Sequence, residues 1–238
     1  MASSRRSLLS AGVLFCVGLV LGGLLFAPWD VVWDKVLRMA DARTSGVSLE
    51  WDAVTDAGLT RLRIRGLRAS MAKGGIACSE LAVRLGFSPL VRATMVTGGR
   101  ALDVAVTRGG HVTVQGGVDL GRLAPRQGVA GTCDIMASLD FGGLHARPPK
   151  SGTLSISSPR LGLMGLDVED VEGLAELADG TLNLRSFGIA KPAPVHGSGT
   201  VLLDWANLMN SRFDVSGTWS LGGAERPFNR RGSLRDLP

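Results

Sequence analysis

Tyrosine is absent from this 238-residue chain, aromatic residues make up only 5% of it, and histidine and cysteine occur three times each. Each shortage excludes a class of function. Proteins that bind single-stranded nucleic acid need aromatic platforms set among basic residues, and no such cluster occurs, so nucleic acid is not an expected partner. His111, His145 and His196 are far apart and none belongs to an H-E-x-x-H motif; Cys16, Cys78 and Cys133 form no C-x-x-C pair. No metal site is therefore expected. The chain also lacks a G-x-S-x-G elbow, a Walker A loop and a G-x-G-x-x-G turn. With no nucleophile, base and orienting group in sight, the chain reads as a non-enzyme without a cofactor.

Apolar residues are plentiful, at 45% against 20% charged, which is the composition of a folded chain. Glycine is abundant at 33 residues, as suits many turns between narrow strands. The net charge of +5 favours an acidic partner or an anionic membrane surface. After Arg5 and Arg6 the chain runs from Ser7 to Trp29 without a charge. About 20 helical residues cross a hydrocarbon core of about 30 Å, so residues 7–27 are expected to span a bilayer. The two arginines place residues 1–6 in the cytoplasm and everything beyond Pro28 on the other side. Gly18 and Gly22 have the spacing of a helix-pairing face, although glycine is common in membrane helices anyway. Trp29 and Trp33, one turn apart, suit the headgroup layer. The stretch around Arg5 and Arg6 weakly resembles a twin-arginine export signal, and Ala40 to Ala42 has the form of a cleavage site. The run is longer than a signal core, however, and Ala42 lies well past it, so an uncleaved anchor is expected.

From residue 28 to residue 43 the apolar residues Trp29, Val32, Trp33, Val36, Leu37 and Ala40 recur at intervals of three and four, predicting a juxtamembrane amphipathic helix. Beyond that the period falls to two. Leu62 and Ile64 alternate with Arg61, Arg63 and Arg65; Leu81 and Val83 alternate with Glu80, Ala82 and Arg84. The same alternation runs through Leu102 and Val104, Ile135 and Leu139, Leu154 and Ile156, Leu182 and Leu184, and Val215 and Trp219. Strict alternation means strands with one buried and one solvated face. Residues 44–225 are thus expected to form a mainly β domain, a curved and mostly antiparallel sheet of repeated hairpins, shaped as a groove, an open barrel or a sandwich.

The pattern glycine, threonine, apolar residue, any residue, aliphatic residue occurs five times, starting at Gly131, Gly152, Gly180, Gly199 and Gly217. Such spacing fits hairpin units in which glycine permits a turn or bulge at each strand entry. Breaks at Arg147 to Lys150 and at Ala190 to Pro194 read as loops between hairpins. Residues 226–238 are basic and lack alternation, as in a tail or a docking strand. The acidic run from Asp167 to Glu172 lacks the ligand offsets and glycine of a calcium loop. Arg61, Arg63 and Arg65 share one strand face. They form either a basic contact surface for anionic headgroups or an acidic partner, or a charged edge that blocks aggregation. Cys78 and Cys133 serve as small buried apolar residues or, in an oxidising compartment, as a disulfide; the first is the simpler reading.

The layout of an N-terminal anchor, a tryptophan-bearing juxtamembrane stretch and repeated Gly-x-Leu-x-Leu strands resembles the type II secretion system protein N family, and more broadly AsmA-like periplasmic proteins. The segments from Glu172 to Leu184 and from Val195 to Asp204 carry the resemblance most clearly. It covers essentially the whole chain, but through layout and degenerate strand motifs rather than a catalytic fingerprint. It implies a single-pass protein of the bacterial inner membrane with its domain in the periplasm, accessory to the export of folded proteins and in contact with other secretion-system proteins. The AsmA-like relatives imply an alternative, a lipid-binding or lipid-transport module whose sheet curls around an apolar groove for acyl chains. In that case Leu62, Ile64, Leu81, Val83, Leu102, Val104, Ile135, Leu139, Leu154, Ile156, Leu182, Leu184, Val215 and Trp219 line the groove.

Overall fold

The computed structural model describes residues 27–43, 47–71, 74–123, 129–144, 148–163, 166–205, 207, 210–233 and 235. The expected membrane span, with Arg5, Arg6, Cys16, Gly18 and Gly22, lies outside them except for Ala27, as does His145. No helix among the described residues is long and apolar enough to cross a membrane.

Helix α1 (Trp29–Arg43) begins directly after Pro28, where a proline costs no helical hydrogen bond, and carries Asp30 in its first turn. Its inner side is pinned by polar contacts. Trp33 Nε1 donates to the Gly58 carbonyl at 2.8 Å, and Asp34 accepts from Trp51 Nε1 and from Arg38 Nε, both at 2.8 Å. Asp41 accepts from the Leu49 amide at 2.7 Å. Trp33, placed with Trp29 among headgroups by its spacing, thus turns toward the protein. Val31, Val32, Val36 and Met39 remain exposed on the helix.

The rest is strand, in one sheet: β1 (Val47–Glu50), β2 (Ala53–Thr55), β3 (Arg61–Met71), β4 (Gly74–Leu85), β5 (Val91–Thr97), β6 (Arg100–Val106), β7 (His111–Asp119), β8 (Val129–Asp140), β9 (Ser151–Leu163), β10 (Leu166–Ala178), β11 (Thr181–Ile189), β12 (Val195–Leu202), β13 (Arg212–Leu221) and β14 (Ala224–Ser233). From β3 onward every strand pairs antiparallel with the next, while β1 and β2 pair side by side with β3. Each return is local, so the chain adds hairpin to hairpin without crossing over. Three of the turns have two residues, both with positive φ: Gly98–Gly99, Asp179–Gly180 and Gly222–Gly223. This is the type I′ geometry whose twist matches that of the flanking strands.

The protein is therefore mainly β, and its 14-stranded sheet is open, neither a closed barrel nor two packed layers. The segment beyond residue 225 is not separate from it: β14 continues the sheet to Ser233. Pro227 is tolerated there because an edge strand needs only half of its amides for the ladder.

Register turns the alternation into continuous rows. One runs Leu62, Val83, Ala93, Val104, Val114, Ala137, Leu154, Ala175, Leu184, Gly199 and Val215 across strands β3 to β13. A neighbouring row joins Ile64, Leu81, Met95, Leu102, Gly116, Ile135 and Ile156. All lie on one face, because directly paired residues project to the same side. The face is covered in part by a single helical turn, α2 (Leu120–Leu123), capped by Asp119, whose Oδ1 accepts from the Arg122 amide at 3.2 Å. Leu120 and Leu123 pack on Leu102, Val118 and Cys133.

The glycine–threonine repeat takes a different role from the one its spacing suggests. The copies at Gly152 and Gly180 stand at a strand entry, and Gly131 is the third residue of β8, with positive φ beside the irregularity between Thr132 and Asp134; Gly199 and Gly217 are mid-strand and face the apolar side. A Cβ on Gly217 would fall 2.1 Å from the His196 carbonyl oxygen, so the neighbouring backbone approaches closer than any side chain permits.

Candidate binding faces

The apolar face holds a cavity of about 640 Å³ lined by Ala137, Leu139, Leu154, Leu177 and Leu182. Phe141, Pro148, Pro149, Leu203 and Trp205 form its rim. The floor belongs to β8–β11, and the rim to the segments that follow β8 and β12. Register brings the floor together: Leu139, Gly152, Leu177 and Leu182 are successive partners across four strands. Gly152 has no side chain to fill the row, and Leu139 Cδ2 would lie 2.6 Å from a Cβ placed there. A cavity of this size with no charged lining suits an apolar chain or ring system. Of the fourteen residues expected on this face, all fall on it, and Leu139, Leu154 and Leu182 line the cavity. Trp205 and Pro149 do so as well; neither lies in an alternating segment, so periodicity passes over them.

The opposite face is polar. Arg61, Arg63 and Arg65 lie on it together, as their spacing requires. Arg61 approaches Asp56 at 3.4 Å and Arg63 Nε approaches Glu80 at 3.5 Å, while Arg65 is the register partner of Glu80. Arg63 Nε is enclosed without a hydrogen-bond partner. β3 is not an edge strand here, since β1 and β2 cover one side and β4 the other. Protection of an edge by charge therefore does not account for these arginines. A second cavity, of about 580 Å³, opens on this face and is lined by Arg63, Glu80, Arg84, Arg92, Thr94, Asp103, Thr113 and Gln115. Arg84 and Arg92 join the basic group only through register, because their own segments place them singly.

The acidic run lies within β10, and two of its four carboxylates are paired: Asp167 meets Arg160 at 2.5 Å and Glu169 meets Lys191 at 2.7 Å. The Lys191 ammonium holds the Glu169 carboxyl below its ordinary range. His111 and His196 are exposed, and His111 Nε2 lies 3.3 Å from Ser138 Oγ. Among the described residues no group of three or more His, Cys, Asp or Glu side chains is placed to hold a metal. Cys78 and Cys133 are free and buried. Burial raises both thiol pKa values, and the Asp134 carboxylate adds to the effect at Cys133.

The third feature is the outer edge. Among the described residues β14 pairs only with β13, most of its residues are exposed, and it carries Arg226, Arg230 and Arg231. Comparison with protein-family models, curated proteins and solved structures finds no match.

Proposed function

We propose that this chain is a membrane-tethered periplasmic component of a type II protein secretion apparatus, acting through protein contacts rather than catalysis. The observation that carries the reading is the free edge of β14. β14 is ten residues long, and about half of its backbone groups point to a side with no neighbouring strand among the described residues, which is the template for strand addition by a partner. The arginines along it favour an acidic partner segment. The tether is supported by α1. Its exposed stripe of Val32, Val36 and Met39 follows directly on the apolar run of residues 7–27, so the helix fits along the outer leaflet with its apolar side in the lipid.

A photocrosslinking residue at Asn229 on β14, in cells that carry the apparatus, tests the reading. Crosslinks to an inner-membrane or periplasmic secretion component are expected, with none from the same probe at Asn183 in the sheet interior. A folded protein that crosslinks to no secretion component overturns the assignment.

A second reading, an AsmA-like lipid-binding module, is favoured by the leucine-floored cavity alone. It expects a stoichiometric acyl lipid on the purified full chain by native mass spectrometry. Lipid-free protein in repeated preparations counts against it.

A further inference from the structure

The polar face of β3–β5 carries an arrangement that folding does not explain. Arg61 is the register partner of Arg84, and Arg84 is the partner of Arg92. Directly paired positions place Cβ atoms about 5 Å apart, and like charges so placed destabilise a sheet. All three strands are paired on both sides, so the charges guard no edge. Arg61 has Asp56 at 3.4 Å. The guanidiniums of Arg84 and Arg92 have no ion pair and no hydrogen bond to any described residue.

Two carboxylates, Glu80 and Asp103, line the cavity of this face, and neither forms an ion pair with Arg84 or Arg92. Glu80 lies 3.5 Å from Arg63, and Asp103 accepts a 2.5 Å hydrogen bond from Thr94 Oγ1. Arg84 and Arg92 open into the cavity of about 580 Å³, beside Arg63, Thr94, Thr113 and Gln115. Arg84 and Arg92 therefore face one pocket with no ion pair among the described residues, beside further hydrogen-bond donors and the short side chains of Ala82 and Ala105.

The geometry points to a binding site for a phosphate group carrying two negative charges, gripped by Arg84 and Arg92. Guanidinium forks bind phosphate oxygens bidentately, and a tetrahedral dianion can serve two forks at once. A simple carboxylate offers one planar edge and one charge, which leaves the second arginine uncompensated. Thr113 and Gln115 supply donors for the remaining oxygens. The site is on the face opposite the leucine-floored cavity and does not depend on how that cavity is used. Its ligand is either a soluble phosphate or the phosphate monoester of a lipid headgroup, and the chemistry at the arginines is the same for both.

Calorimetric titration of the full chain in neutral detergent micelles tests the site. The probes are pyrophosphate and micelles doped with phosphatidic acid; succinate and phosphatidylcholine serve as controls. At least one phosphate probe is expected to bind, and R84Q and R92Q are each expected to weaken it tenfold or more. R84K should recover part of the loss, while R185Q, whose arginine pairs with Glu176 at 2.6 Å elsewhere on this face, should bind as the parent does. Binding of phosphatidic acid alone identifies a headgroup, and of pyrophosphate alone a soluble ligand. Without ligand, R92Q should melt at or above the parent temperature, because it relieves a like-charge contact. That melt also shows the variant is folded. Equal binding by parent and R84Q/R92Q, no binding of either phosphate probe, or succinate binding as tightly as phosphate overturns the proposal.

Discussion

Replacing Phe228 with alanine tests how the outermost strand is held. Phe187, Gly197, Gly217 and Phe228 are successive register partners across β11–β14. The two glycines leave a trough, and the phenylalanines fill it from either side. A Cβ on Gly197 would lie 2.5 Å from Phe187 Cζ, so that ring lies over the glycine. The rings meet with centroids 6.5 Å apart and planes at 55°, a tilted contact. Removing a fully buried phenylalanine side chain costs about 3–5 kcal/mol, so a half-buried ring is worth about 1.5–2.5 kcal/mol. The ring pair accounts for about 0.5–1.5 kcal/mol of direct coupling. The other side-chain links from β14 to β13 are exposed: Arg231 to Asp214 at 2.7 Å and Arg226 over the Trp219 ring at 5.7 Å. Exposed pairs of this kind contribute little. Phe228→Ala should therefore loosen β14 locally before it unfolds the sheet. Amide exchange across Ala224–Ser233 should accelerate about 10- to 60-fold, since each 1.4 kcal/mol is a factor of ten. The F187A/F228A cycle, read by the same exchange, should return a coupling of about 1 kcal/mol. A coupling near zero, or exchange in β14 unchanged by F228A, refutes the trough-and-ring account of this edge.

Three further outcomes concern Gly217, the two buried thiols and Asp34. Gly217→Ala should destabilise the protein by about 1–3 kcal/mol in urea melts, because the obstacle 2.1 Å away is backbone and cannot rotate aside; F228A should not rescue it. Raised thiol pKa values at Cys78 and Cys133 mean that the unfolded chain ionises first. Their contribution is complete below the ordinary thiol value of 9.0 and declines as pH rises through the folded values, so urea midpoints between pH 7 and 10 should fall less in C78A/C133A than in the parent. Asp34 is held below its ordinary carboxyl value by hydrogen bonds from Arg38 and then Trp51. The contribution of these bonds is present above pH 3.8 and lost as pH falls through the folded value; D34A should show the acid-induced red shift of tryptophan emission already at pH 7.

Which parts of this molecule were readable beforehand depends on how far each cause reaches along the chain. The faces of the strands were readable because side-chain direction in a strand depends only on odd or even position, so Leu182 and Leu184 needed no partner to be placed. The tight returns at Gly98–Gly99, Asp179–Gly180 and Gly222–Gly223 use residues that tolerate positive φ, but of these the glycine–threonine spacing reached only Gly180. Helix α1 followed from three-and-four spacing, but Trp33 and Asp34 found their partners Gly58 and Trp51 only on folding. The basic group illustrates the limit best. Arg61, Arg63 and Arg65 are neighbours by alternation; Arg84 and Arg92 join Arg61 only through the registers β3–β4 and β4–β5.

By itself, then, the sequence determined the strands, their apolar and polar faces and the helix that precedes them. The tertiary structure alone decided that the sheet stays open, that residues past 225 become its edge, that mid-strand glycines admit close backbone and aromatic rings, and that two lone arginines meet at one pocket. Alternation is a property of adjacent residues along one strand, whereas register and curvature accumulate pair by pair across many strands. Each pairing shifts where the next strand lies, and a pocket or an edge exists only once the whole series has been laid down.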